Sequence, residues 1–207
     1  MSLPKIYLAR HGETTWSLSG QHTGTTDIPL TEQGEKNAKQ LGKRLKDLTF
    51  VKVFSSPLQR ALKTCELAGF GNTVIPDPLL QEWNYGDYEG RTTTEIQQTQ
   101  AEWFIFRDGC PGGESPAQVA KRCDEMIEKM KAINGDILIF AHAHILRMLA
   151  TRWLGLPPEE GRLYFLSTAS LSILGYEHNL SEPVIRLWND TSHLSMTAEG
   201  GHWKSNG

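Results

Sequence analysis

Apolar and polar positions fall into blocks that switch between two periods. Ile6 to Ala9 is a short apolar run ending at Arg10-His11-Gly12, the pattern of a buried strand that feeds a loop. A polar stretch rich in Gly and Thr follows, from Glu13 to Pro29. Thr31 then stands as a helix N-cap, and Ala38, Leu41, Leu45 and Leu48 recur after it at helical spacing. Val51 to Phe54 reads as a second strand. Pro57 sits where a helix takes its first residue, and that helix is expected to run through Arg60 and Thr64. The stretch from Gln81 to Gly113 is the least regular, with Gly86, Gly90, Gly109 and Gly112 set among Trp83, Tyr85, Tyr88, Trp103 and Phe104. Ser115-Pro116 opens a long helix whose apolar face is Val119, Cys123, Met126, Ile127 and Met130. Asp136 to Ala141 is a buried strand ending at His142, and a helix follows through Arg147 to Leu154. Leu171 to Tyr176 and Val184 to Trp188 close the sheet as late strands, an antiparallel pair being one arrangement open to them.

Strands alternating with helices predict an α/β fold, a three-layer α/β/α sandwich around a mostly parallel sheet. The 207 residues suit one domain, 1–207, with a core of about 5–190 and a loose polar tail over 195–207. Ligands of such sheets bind beyond the carboxyl ends of the strands. Two strands deliver a histidine there, His11 and His142.

Composition narrows the function classes. A formal net charge of -3 offers no basic excess, so nucleic acid is not an expected partner and any anion site must be a local cluster of cations. No apolar run reaches the roughly 18 residues of a membrane helix. Cys65, Cys110 and Cys123 show no metal-binding or redox spacing, and an odd count without a secretory signal points to a reducing, cytoplasmic setting.

The chemistry gathers at the strand ends. Arg10-His11-Gly12 places a guanidinium beside an imidazole, with a glycine that lets a ligand approach the backbone. Arginine holds a tetrahedral phosphate by paired hydrogen bonds. Arg60 falls near a helix start, where backbone N–H groups also favour an anion. By themselves, Arg10-His11-Gly12 also fits a surface turn, Arg60 a solvated helix face, and His142 a hydrogen-bonded structural residue.

Leu8 to Thr14, Ser56 to Thr64, Glu82 with its trailing Gly86 and Gly90, and His142 occur in the order seen in the histidine phosphatase superfamily, which also holds the cofactor-dependent phosphoglycerate mutases. The resemblance spans about residues 5–190 and implies a phosphoglycerate mutase-like fold. It implies further that His11 takes up a phosphoryl group on a ring nitrogen, with Arg10, Arg60 and His142 around the phosphoryl oxygens. Glu82 fills the position of the family's general acid, ahead of its neighbours Asp87 and Glu89; burial beside Trp83 and Tyr85 would raise its pKa. No metal or other cofactor is implied. The Gly20-to-Gly24 loop resembles a segment that reaches bound phosphate, which adds Thr23 and Gly24 to the substrate-binding candidates. Ser17 stands where many members carry Asn, and Ala143 where many carry Gly, so both edge the expected pocket.

Family mutases carry a longer lid and a basic insert after the acid motif. Here Glu89-Gly90 runs straight into Arg91-Thr92-Thr93-Thr94-Glu95, which favours hydrolysis over mutase-type transfer. All five core positions (Arg10, His11, Arg60, Glu82 and His142) are filled, which favours an enzyme over a catalytically dead phosphate-binding protein. Three segments resemble the sedoheptulose bisphosphatase group: Trp16 to Gln21, Glu82 to Gly90 (which includes Tyr85), and Arg107-Asp108-Gly109-Cys110 running on to Glu114. The implied partner is a small phosphorylated metabolite such as a sugar phosphate or bisphosphate. Arg107 is then expected over the site as anchor for a second phosphate. The state of assembly, a homo-oligomer included, stays open.

Overall fold

The computed structural model describes residues 3–194; the expected tail over 195–207 lies outside them. Six strands form one sheet: β1 (Ile6–Arg10), β2 (Lys52–Ser55), β3 (Val74–Pro76), β4 (Ile137–Ala141), β5 (Leu171–Tyr176) and β6 (Pro183–Asp190). Their order is β3-β2-β4-β1-β5-β6. The β3-β2, β2-β4 and β4-β1 pairs are parallel, while β5 runs antiparallel to both neighbours.

The helices are α1 (Thr15–Ser19), α2 (Glu32–Leu45), α3 (Gln59–Leu67), α4 (Thr93–Gln97), α5 (Ile105–Asp108), α6 (Pro116–Lys131) and α7 (Ala143–Trp153). Successive strand side chains point to opposite faces, and the two cores record this. Ile6, Leu8, Ile137 and Ile139 pack with the α6 and α7 residues Met126, Leu146 and Leu149. Tyr7, Ala9, Leu138 and Phe140 pack instead with the α2 and α3 residues Leu41, Leu45 and Cys65. The result is the expected three-layer sandwich. Strands buried on both faces are apolar at every position, which is why β1 and β4 were visible as unbroken runs.

The sequence-based element boundaries need four corrections. Pro57 is not the first residue of α3; Leu58 is the N-cap, and Gln59 is the first helical residue, its N–H held by Asp27 Oδ1 at 2.8 Å. Leu48 lies past the end of α2, in a turn. β3 and α1 were not anticipated: β3 is three residues at a sheet edge, and α1 is one turn set by a local Thr14–Ser17 capping box. The 81–113 stretch carries α4 and α5 but is otherwise irregular.

Candidate active site

Parallel pairing of β1 with β4 sets Arg10 opposite Ala141, so the residues that follow, His11 and His142, leave the sheet side by side. Their ring centroids lie 5.1 Å apart. β2 flanks β4 on its other side and brings Ser56 and Arg60 to the same end. Three strands far apart in sequence thus converge on one rim.

His11 is buried, and its Nδ1 lies 2.7 Å from the Gly12 carbonyl. A carbonyl only accepts, so Nδ1 carries the proton and Nε2 keeps a lone pair. Burial, then the Arg10 and Arg60 charges, hold this imidazole well below its ordinary pKa, which keeps it neutral. His142 is fully buried and is likewise held well below its ordinary value, by burial first and Arg60 next. Its Nδ1 accepts from Arg60 Nε at 3.0 Å, so its Nε2–H donates to Ser56 Oγ at 2.7 Å.

Arg60 sits entirely inside the protein. Beyond His142, its guanidinium donates to the carbonyls of Thr23, Gly24 and Thr26 at 2.9–3.0 Å. Arg10 differs: Nη1 donates to the Leu166 carbonyl at 2.6 Å, while its buried Nε has no protein partner among the described residues. An orphaned guanidinium N–H is costly unless an anion meets it.

Glu82 is buried at the start of α7. Oε1 accepts from the Trp83 and Ile145 N–H groups at 2.9 Å, and Oε2 from His144 N–H at 3.0 Å. The N-cap, His142, makes no side-chain cap, so Glu82 supplies it from another part of the chain. Burial raises the pKa of Glu82, and the three N–H donors oppose it without cancelling it. Of the rivals, Glu89 uses Oε1 on the N–H groups of Gly24 and Thr26, and neither Asp87 nor Glu89 lines the cavity.

That cavity, about 240 Å³, is walled by Arg10, His11, Glu82, Tyr85, His144 and Arg147. Ser17, Thr23 and Ala143 edge it, although the Ser17 hydroxyl is engaged in the α1 cap. Tyr85, pushed well above its ordinary pKa by burial first and then by Glu82, keeps its phenol proton and donates it to His144 Nδ1 at 2.5 Å. A larger cavity of about 490 Å³ opens at the other end of β1 and β4, among Leu3, Met130, Trp153 and Tyr176. None of the site residues reaches it.

Two expectations are corrected. Gly24 does not line the catalytic cavity: its N–H is taken by Glu89, and a β-carbon there would collide with the Trp83 carbonyl, Glu89 Oε2 and the Tyr85 ring. Arg107 does not lie over the site. It is an exposed α5 residue clamped to Asp108 by bonds of 2.7 and 2.8 Å and stacked over Phe104. Besides Arg10, the cavity wall carries a second cation, Arg147. Its Nε donates to the Gly161 carbonyl, its guanidinium lies over Phe106, and burial lowers its pKa to about 10, so it stays charged at neutral pH. Arg147 follows His142 by five positions, and that spacing was the one sequence signal that it shares the site. His22, stacked on Tyr85, was noted only as part of its loop. Among the described residues no group of three His, Cys, Asp or Glu side chains is arranged to hold a metal ion.

An α/β/α sandwich with a buried strand-end histidine, neighbouring arginines and a carboxyl of raised pKa is the architecture of phosphoryl-handling enzymes that work through histidine. The family model for the histidine phosphatase superfamily, branch 1, matches residues 6–191, and the chain belongs to that superfamily. The protein is a phosphomonoester hydrolase of the histidine phosphatase class. An acid phosphatase of Mycobacterium tuberculosis is 40% identical over 202 residues, 95% of this chain and 97% of the relative. A sedoheptulose 1,7-bisphosphatase of Saccharomyces cerevisiae is 35% identical over 187 residues, covering 74% of this chain and 68% of the yeast protein. A solved structure from Mycobacterium tuberculosis superposes with a TM-score of 0.85 at 39% identity, over 90% of this chain and 97% of that one.

Proposed function

We propose that the protein hydrolyses a phosphomonoester of a small metabolite through a phosphohistidine on His11, and that the substrate carries a second anionic group that meets Arg147. The observation that carries this reading is the His11 tautomer. The Gly12 carbonyl fixes the proton on Nδ1 and leaves Nε2 as a neutral nucleophile on the cavity wall.

In the first step the Nε2 lone pair bonds to phosphorus, and the bond from phosphorus to the ester oxygen breaks. The electron pair leaves with that oxygen, which takes the Glu82 proton. The raised pKa of Glu82 supplies that proton. The Arg10 guanidinium, with its unpartnered Nε, meets the phosphoryl oxygens. Arg60 adds positive field at His11 and, bonded to the neutral His142, rigidity. Neither residue lines the cavity, so in this reading they act on His11 and do not surround the phosphoryl oxygens as the family resemblance implied. In the second step water attacks phosphorus, Glu82 takes its proton, and the P–N bond breaks to return neutral His11.

The second anionic group is inferred from the wall that the leaving part of the substrate must face. Arg147 and the His144–Tyr85 pair stand there with Trp16 and Phe165. The Nη groups of Arg147, which have no hydrogen-bond partner among the described residues, suit a carboxylate or phosphate. A sugar bisphosphate fits this arrangement, and the likeness to the yeast bisphosphatase supports it.

The test is His11→Ala with a screen of phosphorylated metabolites and phosphate detection. Wild type is expected to release phosphate and to carry an acid-labile, base-stable label, and the variant to do neither while keeping its circular dichroism spectrum. Normal turnover by the variant overturns the mechanism. A phosphoryl group returned to a second position of the substrate, with no phosphate released, overturns hydrolysis in favour of mutase-type transfer.

A further inference from the structure

The nucleophile's strand end is held by a loop with a single internal backbone hydrogen bond among the described residues. Leu166 to Ser170, between α7 and β5, makes three hydrogen bonds to the Arg10-His11 pair. The Leu166 carbonyl accepts from Arg10 Nη1 at 2.6 Å, the Ser170 carbonyl from the Arg10 N–H at 3.2 Å, and the Ala169 N–H donates to the His11 carbonyl at 3.0 Å. Main chain and side chain of Arg10, and main chain of His11, are therefore set by one short segment.

Left to itself that segment has reason to relax. Ala169 has φ of 54°, the left-handed region, which is unfavourable for a residue with a β-carbon. Its internal bond, Ser170 N–H to the Ser167 carbonyl, is long at 3.3 Å, and the buried Ser170 hydroxyl has no partner among the described residues. Strain of this kind persists only where surrounding structure enforces it.

The enforcement comes from the end of β6 and the turn after it. Asn189 Oδ1 accepts the Ser167 N–H at 2.7 Å, and His193 Nε2 donates to the Ala169 carbonyl at 2.9 Å. A carbonyl acceptor fixes the His193 proton on Nε2. Its Nδ1 is buried without a partner among the described residues, so the Ala169 bond is the ring's single polar anchor. Asn189 is itself tied down, its N–H donating to Ser172 Oγ at 3.0 Å. The loop is gripped at Ser167 and at Ala169, on either side of its strained turn. Neither gripping residue lines the catalytic cavity.

We propose that Asn189 and His193 form a positioning clamp that holds Arg10 and His11 in register through the Leu166–Ser170 loop. The proposal rests on the reading of His11 as nucleophile, and it adds that the final strand of the sheet acts on the reacting groups without touching substrate.

The experiment uses the full chain as wild type, His193→Ala, His193→Gln and Asn189→Ala. A displaced nucleophile loses transition-state contacts more than ground-state binding. His193→Ala is therefore expected to lower kcat on p-nitrophenyl phosphate about tenfold to hundredfold, with KM much less changed. Vanadate, which adopts the five-coordinate geometry of the transferring phosphoryl group, should inhibit it correspondingly less. His193→Gln, whose terminal amide N–H reaches toward the same carbonyl, should recover most of both. Asn189→Ala should share the vanadate defect. Hydrogen exchange gives a readout free of turnover: the Arg10 and Ala169 amides should exchange faster in His193→Ala, and the Ile139 amide unchanged. A lowered melting temperature with unaltered kcat, vanadate inhibition and Ala169 exchange overturns the clamp and leaves a purely stabilising contact. Faster Ala169 exchange in a protein whose wild type never forms phosphohistidine supports the clamp and rejects the nucleophile reading instead.

Discussion

Glu82 lives between opposing influences. Burial pushes its proton affinity up, while three backbone N–H groups favour the carboxylate, and burial prevails. An acid poised this way matters in proportion to the basicity of the leaving oxygen. Glu82→Gln should therefore cut kcat/KM for a sugar phosphate by about 10²-fold or more and for p-nitrophenyl phosphate far less, and equal losses would remove Glu82 as the acid. For the sugar phosphate, kcat/KM should fall as pH rises through the raised Glu82 value, since the protonated form is the donor. A pH profile on the two substrates reads this directly. The two arginines make a second test. Loss of a charge-assisted contact is worth about 1.5–3 kcal/mol, so Arg147→Ala should weaken kcat/KM roughly ten- to hundredfold for a bisphosphate and much less for the monophosphate of the same sugar. Arg107→Ala removes an exposed pair with Asp108 and should leave both substrates unaffected.

At the scale of elements, the approach of α2 to the catalytic loop depends on two glycines. A β-carbon on Gly34 would stand 2.2 Å from the Glu13 carbonyl oxygen, and one on Gly12 would stand 2.5 Å from the Gly34 carbonyl oxygen. Backbone therefore packs on backbone where the loop leaves β1. In an isolated helix Gly→Ala stabilises by about 1 kcal/mol. Here overpacking should reverse the sign, so Gly34→Ala is expected to destabilise by about 1–3 kcal/mol. Because the displaced segment adjoins His11, kcat/KM should fall as well. Urea denaturation with steady-state kinetics checks both, and a variant more stable than wild type would refute the close contact. The same scale explains why Glu82→Gln is a better probe than Glu82→Ala, which also strips α7 of its cap.

Taken whole, the molecule buries His11, His22 and His142 and half-buries His144, each with its pKa lowered chiefly by burial, His22 to about 4. Each imidazole binds its proton more weakly folded than unfolded. Their stabilisation is thus complete above the unfolded value of about 6.5 and is lost as pH falls below it, at up to about 1.4 kcal/mol per pH unit for each. Glu82, raised on folding, has the opposite sign, but it is one group against four. The melting temperature should drop from pH 7 to pH 5, and His22→Gln should make the drop shallower. A flat profile would mean that these rings are solvated. No helix among the described residues is long and apolar enough to cross a membrane.

The runs at Ile6 to Ala9 and Ile137 to Ala141, the caps at Thr31 and Ser115, and the order of the motifs around His11, Glu82 and His142 were legible because each is a local pattern. Buried strands are apolar throughout, caps need particular side chains, and histidine at a strand end is visible in one line of sequence. Arg107 and Arg147 show where legibility stops. Both are arginines on helices with unremarkable neighbours, and only the packing of α7 against the Glu82 segment turns one toward the cavity, while Asp108 holds the other outside. The His11 tautomer, the internal bonds of Arg60 and the grip of Asn189 and His193 on the Ala169 turn join residues from 1 to 82 positions apart. Such contacts are set by strand order and register, which no short stretch of the chain encodes alone. The sequence determined the sheet's buried strands and which residues could do chemistry; the tertiary structure decided which of them meet, and in what protonation state.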